Sequence, residues 1–185
     1  MKLLPKLMMW VQGIKYGKNC TFHGLPIIAK NKNAAITIGD GCRIRSSFIS
    51  NLIGLYQRTV ICAKGNGTIN IGKDVGMSGV TIYAREAITI GDKCLIGANT
   101  KILDNDFHPI DPEVRRRTPG EYIASKPITI GENVFIGCNV LILKGVTIGN
   151  NSVIGAGSVV VKDIPPNCVG GGNPAKVIKM LNPKE

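Results

Sequence analysis

Residues 127–179 read PITIGENVFIGCNVLILKGVTIGNNSVIGAGSVVVKDIPPNCVGGGNPAKVIK, and within them an apolar residue returns every six positions: Ile130, Ile136, Ile142, Ile148, Ile154 and Val160. Four of these are followed by glycine, at Gly131, Gly137, Gly149 and Gly155. Four positions after each member stands something small or β-branched: Val134, Val140, Val146, Ser152 and Ser158. Upstream the rule repeats as Ile90-Gly91, Ile96-Gly97 and Ile102, with Cys94 and Thr100 in the second slot; Ile38-Gly39 and Ile71-Gly72 are weaker copies. A helix would need a period near 3.6 and a simple hairpin a period of 2. A period of six fits a short strand and a tight turn, repeated. The spacing places each Ile or Val inward, the small residue at the corner, and the glycine where the chain turns. Three such units close a triangular coil of about eighteen residues, stacked about 4.8 Å above the last.

Working outward from this block, composition agrees. The 185 residues are one domain's worth of chain, with 44% hydrophobic residues, only 5% aromatics and 23 glycines. That mix suits stacked strands and turns better than a helical bundle. The formal charge of +11 invites polyanionic partners. No basic stripe interleaved with aromatics is present, so nucleic acid is not an expected partner. Arg115, Arg116 and Arg117 read either as a solvated loop or as part of an anion-recruiting surface. The six cysteines, Cys20, Cys42, Cys62, Cys94, Cys138 and Cys168, form no C-x-x-C pair and no zinc framework. They read as small, partly buried thiols of a reducing compartment.

The segment before the repeats, residues 1–30, is expected to be irregular or helical. Its first ten residues are apolar, but Pro5 interrupts them and no cleavage site follows, so a cytoplasmic location is expected. Leu3, Leu4, Leu7 and Met8, with Lys2, Lys6, Trp10 and Lys15 around them, suit a helix packed on a neighbouring subunit, or peripheral membrane contact.

The period stops after Ile102 and resumes at Ile128, leaving an extended loop over residues 104–126. Long excursions from compact repeats are sites of function or of disorder. This one opens with DNDFHPID, Asp104 to Asp111, and so puts His108 where an ordered coil ends. A lone histidine on a loop is compatible with plain surface. It is also the usual general base near neutral pH, able to take a proton from a hydroxyl within hydrogen-bond reach. A carboxylate on the other ring nitrogen would fix its tautomer, and Asp106, ahead of Asp104 and Asp111, is the candidate; a backbone carbonyl is the alternative.

On these residues the sequence resembles the hexapeptide-repeat acyltransferases, in particular the galactoside, maltose and polysaccharide O-acetyltransferases. The resemblance runs from about Ile71 to Lys179 and more loosely from Tyr16. It implies an all-β fold, a left-handed parallel β-helix filling one domain over residues 1–185, a homotrimer, and acetyl-CoA as co-substrate with no metal. It also makes His108-Pro109 the match to the catalytic histidine at the head of the loop. CoA contacts would fall on Cys138, Ala156, Val161, Lys162, Lys176 and Lys179. Lysine stands at 176 and 179 where galactoside enzymes tend to have arginine, and Phe135 where tryptophan is common. The acceptor segment Gly76–Glu86 departs most, and offers Ser78, Tyr83 and Arg85 as acceptor contacts. The implied activity is acetyl transfer to a sugar hydroxyl, on a polysaccharide precursor. The alternatives are an amino-sugar N-acetyltransferase and a serine or antibiotic O-acetyltransferase. A γ-type carbonic anhydrase needs three zinc-binding histidines, and only His23 and His108 are present. A non-enzymatic, ice-binding β-helix would show threonine-rich flat faces, and none is expected.

Overall fold

The computed structural model describes residues 3–118 and 120–181. Lys2, and the side chains of Leu3, Lys6 and Met8 named above, lie outside the described residues. Among the described residues the strands form three sheets of six, eight and six strands, visited in strict rotation as far as Val159–Val160, after which the last two strands both join the eight-stranded sheet. The chain is a left-handed parallel β-helix. Sheet 1 runs from Lys15–Tyr16 to Thr147–Ile148, sheet 2 from Thr21–His23 to Val153–Ile154 and Cys168–Gly172, and sheet 3 from Ile27–Lys30 to Val159–Val160. The coils therefore begin at Lys15, inside the N-terminal segment. Ala175–Met180 then folds back antiparallel on Cys168–Gly172 and closes one edge of sheet 2.

The six-residue period is the alternation of a short strand seen once per side. Ile130, Ile136, Ile142, Ile148, Ile154 and Val160 are all buried, as are Val134, Val140, Val146, Ser152 and Ser158 at the corners. In-register pairing, Ile88 on Ile128 and Ile102 on Ile142, puts like on like along the axis. Each buried isoleucine contributes about 1.5–3 kcal/mol of transfer free energy, so the inward files carry most of the stabilisation.

The glycines have a different cause from the one expected. Those that follow the inward isoleucines do not need a left-handed backbone. All but Gly155, where a Cβ would find ordinary contacts at 3.7 Å and beyond, are needed because the next coil passes too close: a Cβ on Gly91 would lie 2.6 Å from a backbone atom of Gly131. The left-handed positions come two residues later and are filled by Asp74, Lys93, Asn133 and Asn151, among others. The cysteines share the corner logic. Cys20, Cys42 and Cys94 share one file at the sheet 1–sheet 2 corner, with Val75 between the last two, and each donates its S–H to a glycine carbonyl of the next coil, at 3.2, 3.2 and 3.0 Å. Burial pushes the Cys42 thiol up to about 11.

Two further departures stand out. A file of threonines does run along the exposed face of sheet 1: Thr37, Thr89, Thr129 and Thr147, interrupted by Asn70. It is a single file, with Ala35, Thr68 and Ala87 beside it. Second, the coil is broken twice. Besides the loop after Leu103, residues 46–59 leave the corner between sheets 2 and 3 before Val60–Ala63. This second excursion carries Phe48, Ile49, Leu52, Ile53 and Tyr56 exposed. The N-terminal helix, Leu3–Val11, packs Met9 inward and leaves Leu4, Leu7, Trp10 and Val11 exposed. No helix among the described residues is long and apolar enough to cross a membrane.

Gly91→Ala is expected to cost about 1–3 kcal/mol, because the extra methyl meets backbone that cannot step aside. Gly120→Ala, where nothing lies within 4 Å, should stay within about 0.5 kcal/mol. Urea midpoints of the two variants decide the matter; equal midpoints would refute the packing account.

Candidate functional site

The loop after Leu103 is held at its mouth by Asp104. This carboxylate is buried and accepts from the backbone N–H of Arg85 at 2.8 Å and of Glu86 at 2.8 Å, and from the Asn105 side-chain amide at 3.0 Å. Asn105 in turn accepts from Phe107 N–H at 3.0 Å. Phe107 takes a left-handed φ of 61° and lays its ring 4.8 Å from that of Tyr83. The next residue, His108, is thereby turned outward. Its N–H donates to the Asp106 carbonyl at 2.7 Å, and its exposed imidazole takes no hydrogen bond among the described residues. Asp111 caps the short helix Pro112–Arg117, and Arg115 donates back to the Pro109 and Ile110 carbonyls at 3.0 and 2.9 Å. Arg116 and Arg117 pair with Glu113 on a solvated face, so the arginine run serves the loop's own shape.

Asp106 is placed otherwise than as a direct partner of the imidazole. One of its oxygens pairs with the Lys144 ammonium, and the other, Oδ2, is buried with no hydrogen-bond partner. Tyr83 and Arg85 lie on the same side of the molecule, at the C-terminal end of the interior sheet 3 strand Thr81–Ala84. Burial pushes the Tyr83 phenol up, with Cys62 and Asp104 adding to the shift and Arg85 opposing it. Val161 and Lys162 follow Val159–Val160 and so occupy this same corner, between sheets 3 and 1, further along the axis.

The other named residues belong to sheet 2 and its far corner. Down its outer face, Leu95, Phe135 and Val153 form one file. Beside it run Gly97, Gly137 and Gly155, each one residue past its strand. The floor is bare backbone, because a Cβ at Gly97 would sit 2.5 Å from the Cys138 nitrogen. The 46–59 excursion hangs over this face. Asn99, buried with a left-handed φ of 63°, holds it by donating to the Gly54 carbonyl at 2.8 Å and accepting from Tyr56 N–H at 3.3 Å. The result is a groove with two compartments that share Asn51, Gly97 and Phe135. The apolar compartment, about 410 Å³, includes Ile53, Cys138 and Ala156. The polar one, about 320 Å³, includes Arg43, Arg45 and Ser78. Lys176 and Lys179 are exposed on the closing strand of the same sheet.

The predicted residues therefore fall into two groups. His108, Asp106, Tyr83, Arg85, Val161 and Lys162 gather on sheet 3 and its corner with sheet 1. Ser78, Cys138, Ala156, Lys176 and Lys179 gather on sheet 2 and its corner with sheet 3. A triangular coil sets the corner between sheets 3 and 1 opposite sheet 2, on the order of 15 Å away through the core. Sequence reasoning missed Arg43, Arg45, Asn51, Ile53 and Lys144. Only the outward alternation Arg43-Ile44-Arg45 carried a signal for any of them.

Two family models match the chain: Bacterial transferase hexapeptide (six repeats) over residues 127–162, and Hexapeptide repeat of succinyl-transferase over residues 87–102. The galactoside O-acetyltransferase of Escherichia coli K12 is 48% identical over 118 residues, 63% of this chain but 56% of that protein. The chain thus spans little more than half of that relative's length. A putative lipopolysaccharide biosynthesis O-acetyl transferase of the same organism is 34% identical over 170 residues, covering 89% of this chain and 81% of the relative. A solved galactoside acetyltransferase in complex with coenzyme A superposes with a TM-score of 0.59 at 30% identity, over 99% of this chain and 82% of that one.

Cys138 is half-buried while the other five cysteines are buried, so the groove can be probed directly. Iodoacetamide on the native protein should label Cys138 ahead of the rest, read by peptide mass mapping. Faster labelling of Cys42 or Cys94 would contradict the described groove.

Proposed function

This chain belongs to the hexapeptide-repeat acyltransferases, and from that premise we propose that it transfers the acetyl group of acetyl-CoA to a hydroxyl of a sugar acceptor, on a polysaccharide precursor, with His108 as general base. The observation that carries the reading is the glycine-floored groove on sheet 2. A pantetheine arm is long, thin and mostly apolar, and it needs backbone exposed along its whole length. Gly97, Gly137 and Gly155, walled by Phe135, Val153 and Ile53, suit it. Cys138 and Ala156 line the same compartment, and the ammonium groups of Lys162, Lys176 and Lys179 suit the CoA phosphates.

The chemistry needs little else. The imidazole of His108 takes the proton of the acceptor hydroxyl as its oxygen bonds to the thioester carbonyl carbon. The tetrahedral intermediate collapses by breaking the C–S bond, and the CoA thiolate leaves with the proton returned by the imidazolium. Asp106 is assigned to orient the ring. In this structure the exposed ring does not meet Asp106, so the assignment requires the imidazole to turn inward toward the buried, unpartnered Oδ2, with Lys144 holding the other oxygen. Ser78 at the groove, with Tyr83 and Arg85 beside the loop, is assigned to the acceptor.

The separation of the two groups supports a homotrimer with shared sites. Within one copy, His108 lies across the core from the groove that would hold the thioester. Between copies, one chain's corner between sheets 3 and 1 can stand over its neighbour's sheet 2. The same placement lets Val161 and Lys162 of one copy meet a CoA lying against Cys138 and Ala156 of another.

Acetyl-CoA turnover should fall about a hundredfold or more in His108→Ala, with little change in KM for acetyl-CoA. Asp106→Asn should reduce kcat and alter its pH profile, and Lys144→Met should do so less strongly. Mixing refolded His108→Ala with a groove-blocked Phe135→Arg should restore up to about a quarter of wild-type activity, since random assembly pairs one intact half with the other at that frequency. Full His108→Ala activity would refute the base, and no recovery on mixing would refute the shared site.

A further inference from the structure

The polar compartment of the groove has a chemistry of its own. Arg43 and Arg45 stand on one strand with buried Ile44 between them, so both project from the outer face of sheet 2, about 6.6 Å apart along the strand. Neither makes an ion pair with any carboxylate among the described residues. Their neighbours in register are Thr21 and His23 on one side and Gly76 and Ser78 on the other, none of them acidic. The Arg45 guanidinium is steadied against the overhanging excursion, donating to the Ser50 carbonyl at 3.0 Å. Asn51 of that excursion lines this compartment and the apolar one alike, so the two are one continuous trough. Two guanidinium groups without an ion-pair partner, one of them held in place, lining the same trough are a device for binding an anion.

We propose that Arg43 and Arg45 bind an anionic group, carboxylate or phosphate, carried by the acceptor. This rests on the acetyl-transfer reading above. Its position on the acceptor follows from the register. Arg43 pairs with Gly76, and Gly76 with Leu95, so Arg43 lies two strand steps, about 10 Å, from the level of Leu95 and Gly97, where the two compartments meet. With the reacting ring at that level and the arginine side chain spanning part of the offset, this spacing suits a charge on the group attached to the ring. The substrate class is therefore a glycoside whose neighbouring unit is acidic: a linked sugar acid, or a glycosyl diphosphate.

The test uses the full chain and three acceptors that share one reacting sugar: a neutral glycoside, the same sugar linked to a carboxylated sugar, and its glycosyl diphosphate. One or both anionic acceptors should exceed the neutral one in kcat/KM by about ten- to hundredfold, with the advantage shrinking as salt rises. The better of the two identifies the source of the charge. Arg43→Gln should bring the ratio of anionic to neutral close to one, and Arg43→Lys should keep part of it. Equal kcat/KM for all three acceptors, or an equal loss on all three in Arg43→Gln, overturns the subsite. Should none be acetylated, the acetyl-transfer reading fails instead, and calorimetric titration of the same compounds without donor still decides the subsite. Binding that is selective for the anionic compounds and weakened in Arg43→Gln supports it; binding indifferent to charge overturns it.

Discussion

One constraint underlies the rest of the structure: each coil must stack directly on the last, in register, so that parallel backbone hydrogen bonds and the inward isoleucine files form together. A shift of one residue would turn every inward side chain out to solvent, so the register admits no slack. Close stacking then dictates the corners. Glycine stands where the next coil's backbone passes within Cβ reach, as at Gly91, and Cys42, Cys94, Thr100 and Ser152 cap a carbonyl of the coil beyond. The chain can leave this ladder only at a corner, and only if it returns at the same level. Both excursions obey that rule, since Ile88 still meets Ile128 and Ala35 still meets Thr68 across them.

The two excursions leave from different corners, and this gives the molecule its functional layout. Residues 46–59 overhang sheet 2 and turn a flat sheet into a groove. The loop after Leu103 carries His108 to the opposite edge and fixes it there through Asp104 and Asn105. A rigid coil cannot bend to bring the two together, which is why we propose that contact between copies combines them.

Inward positions are where the sequence was most legible. The hexad files, the handed resemblance and the break before His108 were all readable, because packing forces the same residue types to recur at the same spacing. The cause of the glycines was misread: sequence shows where a glycine recurs but not whether φ or a neighbour's backbone demands it. The 46–59 excursion was missed because it begins and ends in weakly patterned coils, and its exposed Phe48, Ile49 and Leu52 look like core residues in a string of letters. Asp106 was legible as a neighbour of His108. Its bond to Lys144 was not, since the partners are 38 residues apart and meet only through the coil.

Outward positions answer to a different rule, and this explains why the acceptor was the least legible part. A residue facing away from the core can be replaced without cost to the stack, so neither Arg43 nor Ser78 is demanded by the period. The donor groove needs bare backbone, which is itself a by-product of close stacking, so the fold supplies much of it from structural glycines. The acceptor end needs side chains, which the fold leaves free. A single β-helix can therefore keep one donor chemistry while its outward arginines, serines and overhanging loop choose what is acetylated. In this chain we propose that the choice is written with two guanidinium groups that make no ion pair among the described residues, on the coils where the repeat is weakest.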